Sequence, residues 1–184
     1  MPDRDVKTIR DLIYYQYAKI IAKSAFHMPD GESAKKQHYG FIKQTFRQLQ
    51  NGQKNWSKIS REDWQLVEAE KKCAYCGAGE PLAKEHIIPK SLKIKPECAT
   101  CDDIQSIHNQ VWACQSCNSK KGTMGLYQFY RQQVPEGDYF DSIPELIEKK
   151  YLKTIFNCHE CAGTLDKTGE APKSVLEIDA ILAN

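Results

Sequence analysis

The sequence predicts an α+β protein, a small module with short strands set between helical regions. Three observations predict it. All eight cysteines fall in four Cys-x-x-Cys pairs: Cys73/Cys76, Cys98/Cys101, Cys114/Cys117 and Cys158/Cys161. Apolar residues recur at three- and four-residue spacing before residue 70 and again after Cys117. Between Cys73 and residue 122 that periodicity is lost, and Cys, Gly, Pro, Lys and Asn dominate. The chain therefore divides into a helical N-terminal region (1–70), a zinc module (71–132) and a helical C-terminal extension (133–184) that carries Cys158/Cys161.

The elements follow in order. Val6, Ile9, Ile13, Tyr17, Ile20 and Ile21 predict a helix over 6–26, which Met28-Pro29-Asp30-Gly31 stops. Tyr39, Ile42, Phe46 and Leu49 predict a second over 33–50, ended by Asn51-Gly52. Ser60 and Asp63 have capping-box spacing ahead of Trp64, Leu66 and Val67, which predicts a third. His86-Ile87-Ile88 and Gln110-Val111-Trp112-Ala113 read as short strands. Cys117–Gln132 reads as one helix with Leu126, Phe129 and Tyr130 on its buried side. Ser142 and Glu145 mark the start of another that runs to about Phe156, and Ser174-Val175-Leu176-Glu177 opens a last short one. Trp56, Trp64 and Trp112 are read as core residues rather than as platforms for stacked bases.

Two residues between thiolates let both sulfurs of one tight turn face a single tetrahedral ion, so four such pairs make two zinc sites of four thiolates each. A thioredoxin-like redox centre needs one pair, not four spread along the chain. The opening Met1-Pro2-Asp3-Arg4-Asp5 has no basic stretch leading into an apolar core, so the expected location is the cytoplasm, where disulfides are disfavoured. No apolar run approaches the roughly 20 residues of a membrane span. Net charge is only +2, but it is uneven. Residues 1–70 hold 12 Lys/Arg against 9 Asp/Glu, residues 71–131 hold 9 against 5, and residues 132–184 hold 5 against 10. A basic first two thirds is compatible with a phosphate-bearing partner.

Three pieces of the module stand in order: Cys73-Ala74-Tyr75-Cys76-Gly77, then Glu85-His86-Ile87-Ile88-Pro89-Lys90-Ser91, then Asn109 through Cys114-Gln115-Ser116-Cys117-Asn118-Ser119-Lys120-Lys121-Gly122. A neutral histidine, with an ordinary pKa of about 6.5, can take a proton from water near neutral pH. A hard cation held by one carboxylate and one amide keeps most of its charge for a developing anion. Adjacent strand residues point to opposite faces, so Glu85 and His86 converge only through a local twist or loop.

Over Cys73–Gly122 the three pieces together resemble the zinc-clipped branch of the HNH endonuclease family. That pattern has a carboxylate-His pair, an apolar pair and Pro, an Asn five residues before Cys-x-x-Cys-Asn, and a following Lys-Gly. The resemblance implies a ββα-metal fold and a nuclease acting on nucleic acid, expected to be double-stranded DNA. It implies that His86 is the general base. It also implies that Glu85, His86 and Asn118 form the site of a catalytic divalent ion, Mg²⁺ or similar. Asn109 would brace the loop between the strands and orient His86. Cys73, Cys76, Cys114 and Cys117 would bind the structural zinc. Cys98, Cys101, Cys158 and Cys161 would form a second site, although pairing Cys73/Cys76 with Cys98/Cys101 stays open. Glu85 stands where Asp is more usual, Asn118 replaces a common His, and the segment from His86 to Asn109 is longer than usual.

Lys84, Lys90, Lys93, Lys120 and Lys121 are candidate phosphate contacts, the last two expected near a helix N-terminus. His108 and His159 are alternative zinc ligands of lesser weight. The helices 6–26 and 33–50 are candidate faces of a homodimer. Two other readings remain: a zinc-stapled nucleic-acid-binding module without catalysis, and a zinc-knuckle adaptor that docks other proteins.

Overall fold

The computed structural model describes residues 4–26, 31–56, 60–79, 81–91, 106–135, 139–168 and 174–178. Six helices and one two-stranded antiparallel sheet are found among them, so the fold is α+β. The helices are α1 (Ile9–Phe26), α2 (Gly31–Gln50), α3 (Ser60–Glu68), α4 (Gln115–Lys121), α5 (Leu126–Gln133) and α6 (Glu145–Cys161). Strands β1 (Leu82–His86) and β2 (Gln110–Cys114) form the sheet. None of the described helices is long and apolar enough to cross a membrane.

Helix α1 buries residues on nearly every side, from Ile9 and Leu12 to Gln16, Ala18 and Ala22. It lies between α2 and α6, and a helix covered on two sides needs apolar residues all round rather than one stripe. Tyr15, Ala18 and Ala22 meet Ile42 and Phe46 of α2 in a small cluster of their own. The larger core draws on all three regions of the chain, joining Ile13 and Leu49 to Cys73, Ile87 and Val111 and to Leu126, Tyr151 and Ile155. The apolar faces of α1 and α2 offered above as a dimer interface are thus largely spent on each other and on α6. Phe26 and Tyr39 remain exposed.

Helix α6 runs to Cys161, five residues beyond the sequence expectation, and carries a row of buried cations that bind α3. Lys153 Nζ donates to both oxygens of Glu62 at 2.7 and 2.6 Å, and Lys150 Nζ lies 2.7 Å from Asp63 Oδ1. Asp63 is therefore an ion-pair partner of α6 and of His108. Lys150 also donates to the carbonyls of Ile107 and Gln110, so α6 grips the start of β2. Helix α6 starts after Pro144, with no side-chain cap from Ser142.

The helix expected over Cys117–Gln132 is two helices. Gly122 takes φ +50°, its N–H bonds the Asn118 carbonyl, and the chain restarts as α5 at Leu126. With ψ −122° this backbone lies in a positive-φ region open in practice only to glycine, so the helix ends there, and Gly122 and Gly125 are the sequence signal for the break. The Ile87-Ile88 pair lies just past β1 rather than in it, with both residues fully buried. Among the tryptophans, Trp56 packs in the core against Tyr14, Tyr17 and Phe156. Trp64 is 66% exposed, which corrects its reading as core, and Trp112, like Trp56, is half-buried.

Candidate metal and catalytic site

The four cysteines of the module meet where the strands end. Cys73-x-x-Cys76 closes as a knuckle: the Cys73 N–H bonds the Ala78 carbonyl at 2.7 Å, and the Gly77 N–H bonds the Cys73 carbonyl at 2.8 Å. Gly77 makes this turn at φ +75°, a conformation that costs glycine little. The second pair sits at the junction of β2 and α4. Cys114 is the N-cap of α4, and its sulfur accepts from the Cys117 N–H at 3.5 Å.

All four sulfurs lie within 4.8 Å of one another. A Zn–S bond of about 2.3 Å sets tetrahedral S–S edges of about 3.8 Å, and Cys76 Sγ stands 3.8 Å from Cys114 Sγ. The donor set fits zinc in number, type and spacing. Burial works against the Cys73 thiolate, yet backbone hydrogen bonds around Cys114, Cys76 and Tyr75 bring its pKa down to about 7. Burial and the neighbouring sulfurs push Cys117 up. Such a crowd of thiolates calls for a cation at its centre.

The β1–β2 register then sorts the remaining site residues onto two faces. His86 pairs with Gln110 and Lys84 with Trp112, while Glu85 pairs with Val111 on the other side. His86 is half-buried, and its Nε2 lies 3.4 Å from Gln110 Nε2, whose amide can donate to it when that nitrogen is unprotonated. Burial first, then the charges of Lys90 and Lys121, lower the His86 pKa, which keeps the ring neutral at neutral pH.

Glu85 turns inward and is 6% exposed. Its Oε1 accepts from Lys121 Nζ and its Oε2 from Tyr75 Oη, both at 2.9 Å. Burial and the Glu85 carboxylate push the Tyr75 pKa well up, so the phenol stays a donor. The strand itself therefore does not bring the Glu85 and His86 side chains together.

Asn109 is fully buried, and its side chain clasps one residue of the loop after β1. Its Oδ1 accepts from the Ile88 N–H and its Nδ2 donates to the Ile88 carbonyl, each at 2.8 Å. The Asn109 carbonyl accepts from Ile87 N–H at 2.9 Å. The segment that follows His86 is thus fixed by three hydrogen bonds to one residue. Asn118 lies on α4, half-buried, directly after Cys117.

Lys121 overturns its expected role. It is fully buried, with Nζ donating to Glu85 and to the His86 carbonyl at 2.9 Å, and cannot reach a phosphate. Lys120 and Lys121 are also the last residues of α4, not near its N-terminus. Lys84, Lys90 and Lys120 are exposed. Lys93, Cys98 and Cys101 lie outside the described residues. Cys158 and Cys161 sit near the end of α6, the first buried and the second exposed.

Neither other histidine serves the zinc cluster. His108 Nδ1 lies 2.5 Å from Asp63 Oδ2. His159 is buried, with Nδ1 2.8 Å from Thr164 Oγ1 and Nε2 donating to the Ile178 carbonyl at 3.1 Å. Burial takes its pKa down to about 4. The residues that sequence reasoning missed are Gln110, Tyr75 and Lys150. For Gln110 the signal was its place beside Asn109, in register with His86.

A two-stranded sheet and helix that gather four thiolates at one end, where Leu82 pairs with Cys114, and hold His86 at the other, where it pairs with Gln110, define a metal-binding module. Residues 73–124 match the family model described as HNH endonuclease, and the four-cysteine cluster is consistent with the zinc-bound branch of that family. No curated protein and no solved structure matches the chain significantly.

Proposed function

We propose that the protein is a metal-dependent HNH endonuclease that hydrolyses phosphodiester bonds of DNA, with His86 as its general base. The observation that carries this reading is the placement of His86. It is half-buried on the hairpin of the HNH segment, held neutral by its surroundings, and followed by a loop that Asn109 clasps. A neutral imidazole so placed takes the proton of an attacking water. In this reading Gln110 orients the ring, Asn109 fixes the chain behind it, and cleavage leaves a 5′-phosphate and a 3′-hydroxyl.

Glu85 and Asn118 would hold the catalytic ion near His86. A carboxylate has about four lone-pair sites, of which Tyr75 and Lys121 take two. A carboxylate and an amide oxygen suit a hard divalent ion such as Mg²⁺. Such an ion supplies positive charge to the phosphoryl oxygens and the leaving oxygen. Exposed Lys84, Lys90 and Lys120, together with Lys93, would contact phosphates. Zinc at Cys73, Cys76, Cys114 and Cys117 is structural, and a second zinc joins Cys98/Cys101 to Cys158/Cys161. The protein would act in the cytoplasm on double-stranded DNA, as a homodimer if one site per protomer makes paired cuts.

One observation favours a second reading. Lys121 already neutralises Glu85, which suits a zinc-stapled nucleic-acid-binding module that uses no second metal. Supercoiled-plasmid cleavage with Mg²⁺ or Mn²⁺, comparing the zinc-loaded protein with His86→Ala, separates the two. Cleavage that disappears in a folded His86→Ala protein supports the nuclease. DNA binding without cleavage in either protein supports the binding module, and equal cleavage in both rules out His86 as the base.

A further inference from the structure

The face of the hairpin that carries His86 also opens into a cavity of about 250 Å³. Leu66 and Val67 of α3 form one wall, and Ile107 and Trp112 form the other. Gln110, the residue that meets His86 Nε2, lines it as well. Val67 and Ile107 are 71% and 56% exposed, so two large apolar side chains stand open to solvent at this cavity. The walls are mostly apolar, with the Asp63–Lys150 ion pair also among them, and further cations are not far away. Lys71 and Lys84 line the cavity, both exposed, and Lys71 Nζ stands 5.5 Å over the Trp112 ring.

We infer that this cavity binds one unpaired nucleobase of the nucleic-acid strand being cut, stacked on Trp112, with Lys71 and Lys84 on its flanking phosphates. The inference rests on the nuclease reading and adds that the substrate presents an unstacked base. Three features select this occupant. The space is below the roughly 300–1,000 Å³ of drug-sized ligand pockets and suits one planar ring system. An aromatic wall combined with nearby lysines is the usual arrangement for single strands, in which bases stack and cations follow the backbone. The cavity shares Gln110 with His86, so a base seated there places its own phosphate beside the histidine. The ammonium of Lys71, which now covers the indole face, moves to that phosphate when the base stacks.

The test uses the full zinc-loaded chain without Mg²⁺ and two probes of equal length and charge. One is a single-stranded oligothymidylate, and the other is an abasic oligomer that keeps the phosphates and lacks the bases. The expected result is that the protein binds the oligothymidylate about tenfold more tightly, as stacking of a base on an aromatic side chain predicts. Trp112→Leu should abolish most of that preference while leaving binding of the abasic oligomer unchanged. Should Trp112→Leu fail to fold, the exposed pair Val67→Ser/Ile107→Ser decides, and it should reduce the preference in a protein of unchanged circular dichroism. Equal binding of both probes by the wild type overturns the inference, as does a preference that survives in a folded cavity variant. Failure to bind either probe or duplex DNA overturns the nuclease reading itself, a distinct outcome.

Discussion

Lys121 Nζ closes on Glu85 Oε1 at 2.9 Å in the interior of the domain, one residue before the histidine whose carbonyl the same ammonium also holds. Both side chains are out of water, at 0% and 6% exposure. Removing one member of a buried pair leaves the other as an uncompensated charge, which typically costs about 3–5 kcal/mol. Lys121→Met should destabilise the protein by about that amount. Combining it with Glu85→Gln should recover most of the loss, because an amide needs no counter-ion. Urea denaturation of the zinc-loaded variants measures both. A single variant as stable as the double one would mean that the pair is not buried as described.

Asn109 makes a second sharp case. Its amide satisfies both polar groups of Ile88, a residue with no exposed surface. Asn109→Ala strands a buried N–H and a buried carbonyl, at about 1–3 kcal/mol each. Asn109→Asp keeps the acceptor for the Ile88 N–H but sets a buried, uncompensated carboxylate against the Ile88 carbonyl, so it should cost at least as much as Asn109→Ala. The same loop follows His86, so cleavage should decline in the same order when assayed at a temperature where all three proteins are folded. If Asn109→Ala melts with the wild type, the clasp carries no stability.

These two residues also mark how far the sequence was legible. The cluster of Cys73/Cys76 with Cys114/Cys117 and the bracing Asn109 could be read because metal and hydrogen-bond geometry force short, fixed spacings along the chain. The α+β class followed from where helical periodicity stops and resumes. Lys121 could not be read, because Lys120-Lys121 is a solvated pair by composition and only the register of α4 against β1 buries the second. Lys153 and Glu62 form a buried pair 91 residues apart in sequence, and no local pattern predicts it. The break at Gly122 was legible but outweighed by the apolar spacing on either side of it. Strand alternation turns Glu85 inward onto Lys121 and Tyr75, so an ion shared with His86 depends on a local twist that no sequence pattern specifies.

Zinc removal should unfold the module rather than merely inactivate it. The hairpin and α4 bury little apolar surface of their own, and a four-thiolate zinc contributes on the order of 10 kcal/mol of apparent folding free energy. Cys76 is the exposed ligand of the four, so Cys76→Ser changes the metal site with the least damage to packing. We expect that variant to lose zinc by metal analysis and to melt well below the wild type. We also expect a strong chelator to give the wild type the same low melting temperature. Chelation that strips the metal and leaves the melting curve in place would show that the cluster is not a structural one.

Glu148 provides a stability change whose dependence on pH has a definite sign. It is 5% exposed on α6, and its Oε1 accepts from Gln16 Nε2 and from Tyr127 Oη, both at 2.8 Å. Burial raises its pKa above the ordinary 4.5, more than these donors and the charges of Lys23 and Lys19 lower it. A carboxyl raised in the folded state favours folding while it is protonated, and loses that advantage as pH rises through the folded value. Glu148→Gln keeps an oxygen to accept both hydrogen bonds and has no charge to desolvate. The wild type should therefore lose melting temperature relative to Glu148→Gln as pH rises from below the ordinary carboxyl range to above the raised folded pKa of Glu148. Thermal denaturation of the two proteins across that interval measures the difference. A gap that stays constant with pH, or one that closes as pH rises, would place the folded pKa of Glu148 at or below its ordinary value, and the two donors would then outweigh burial.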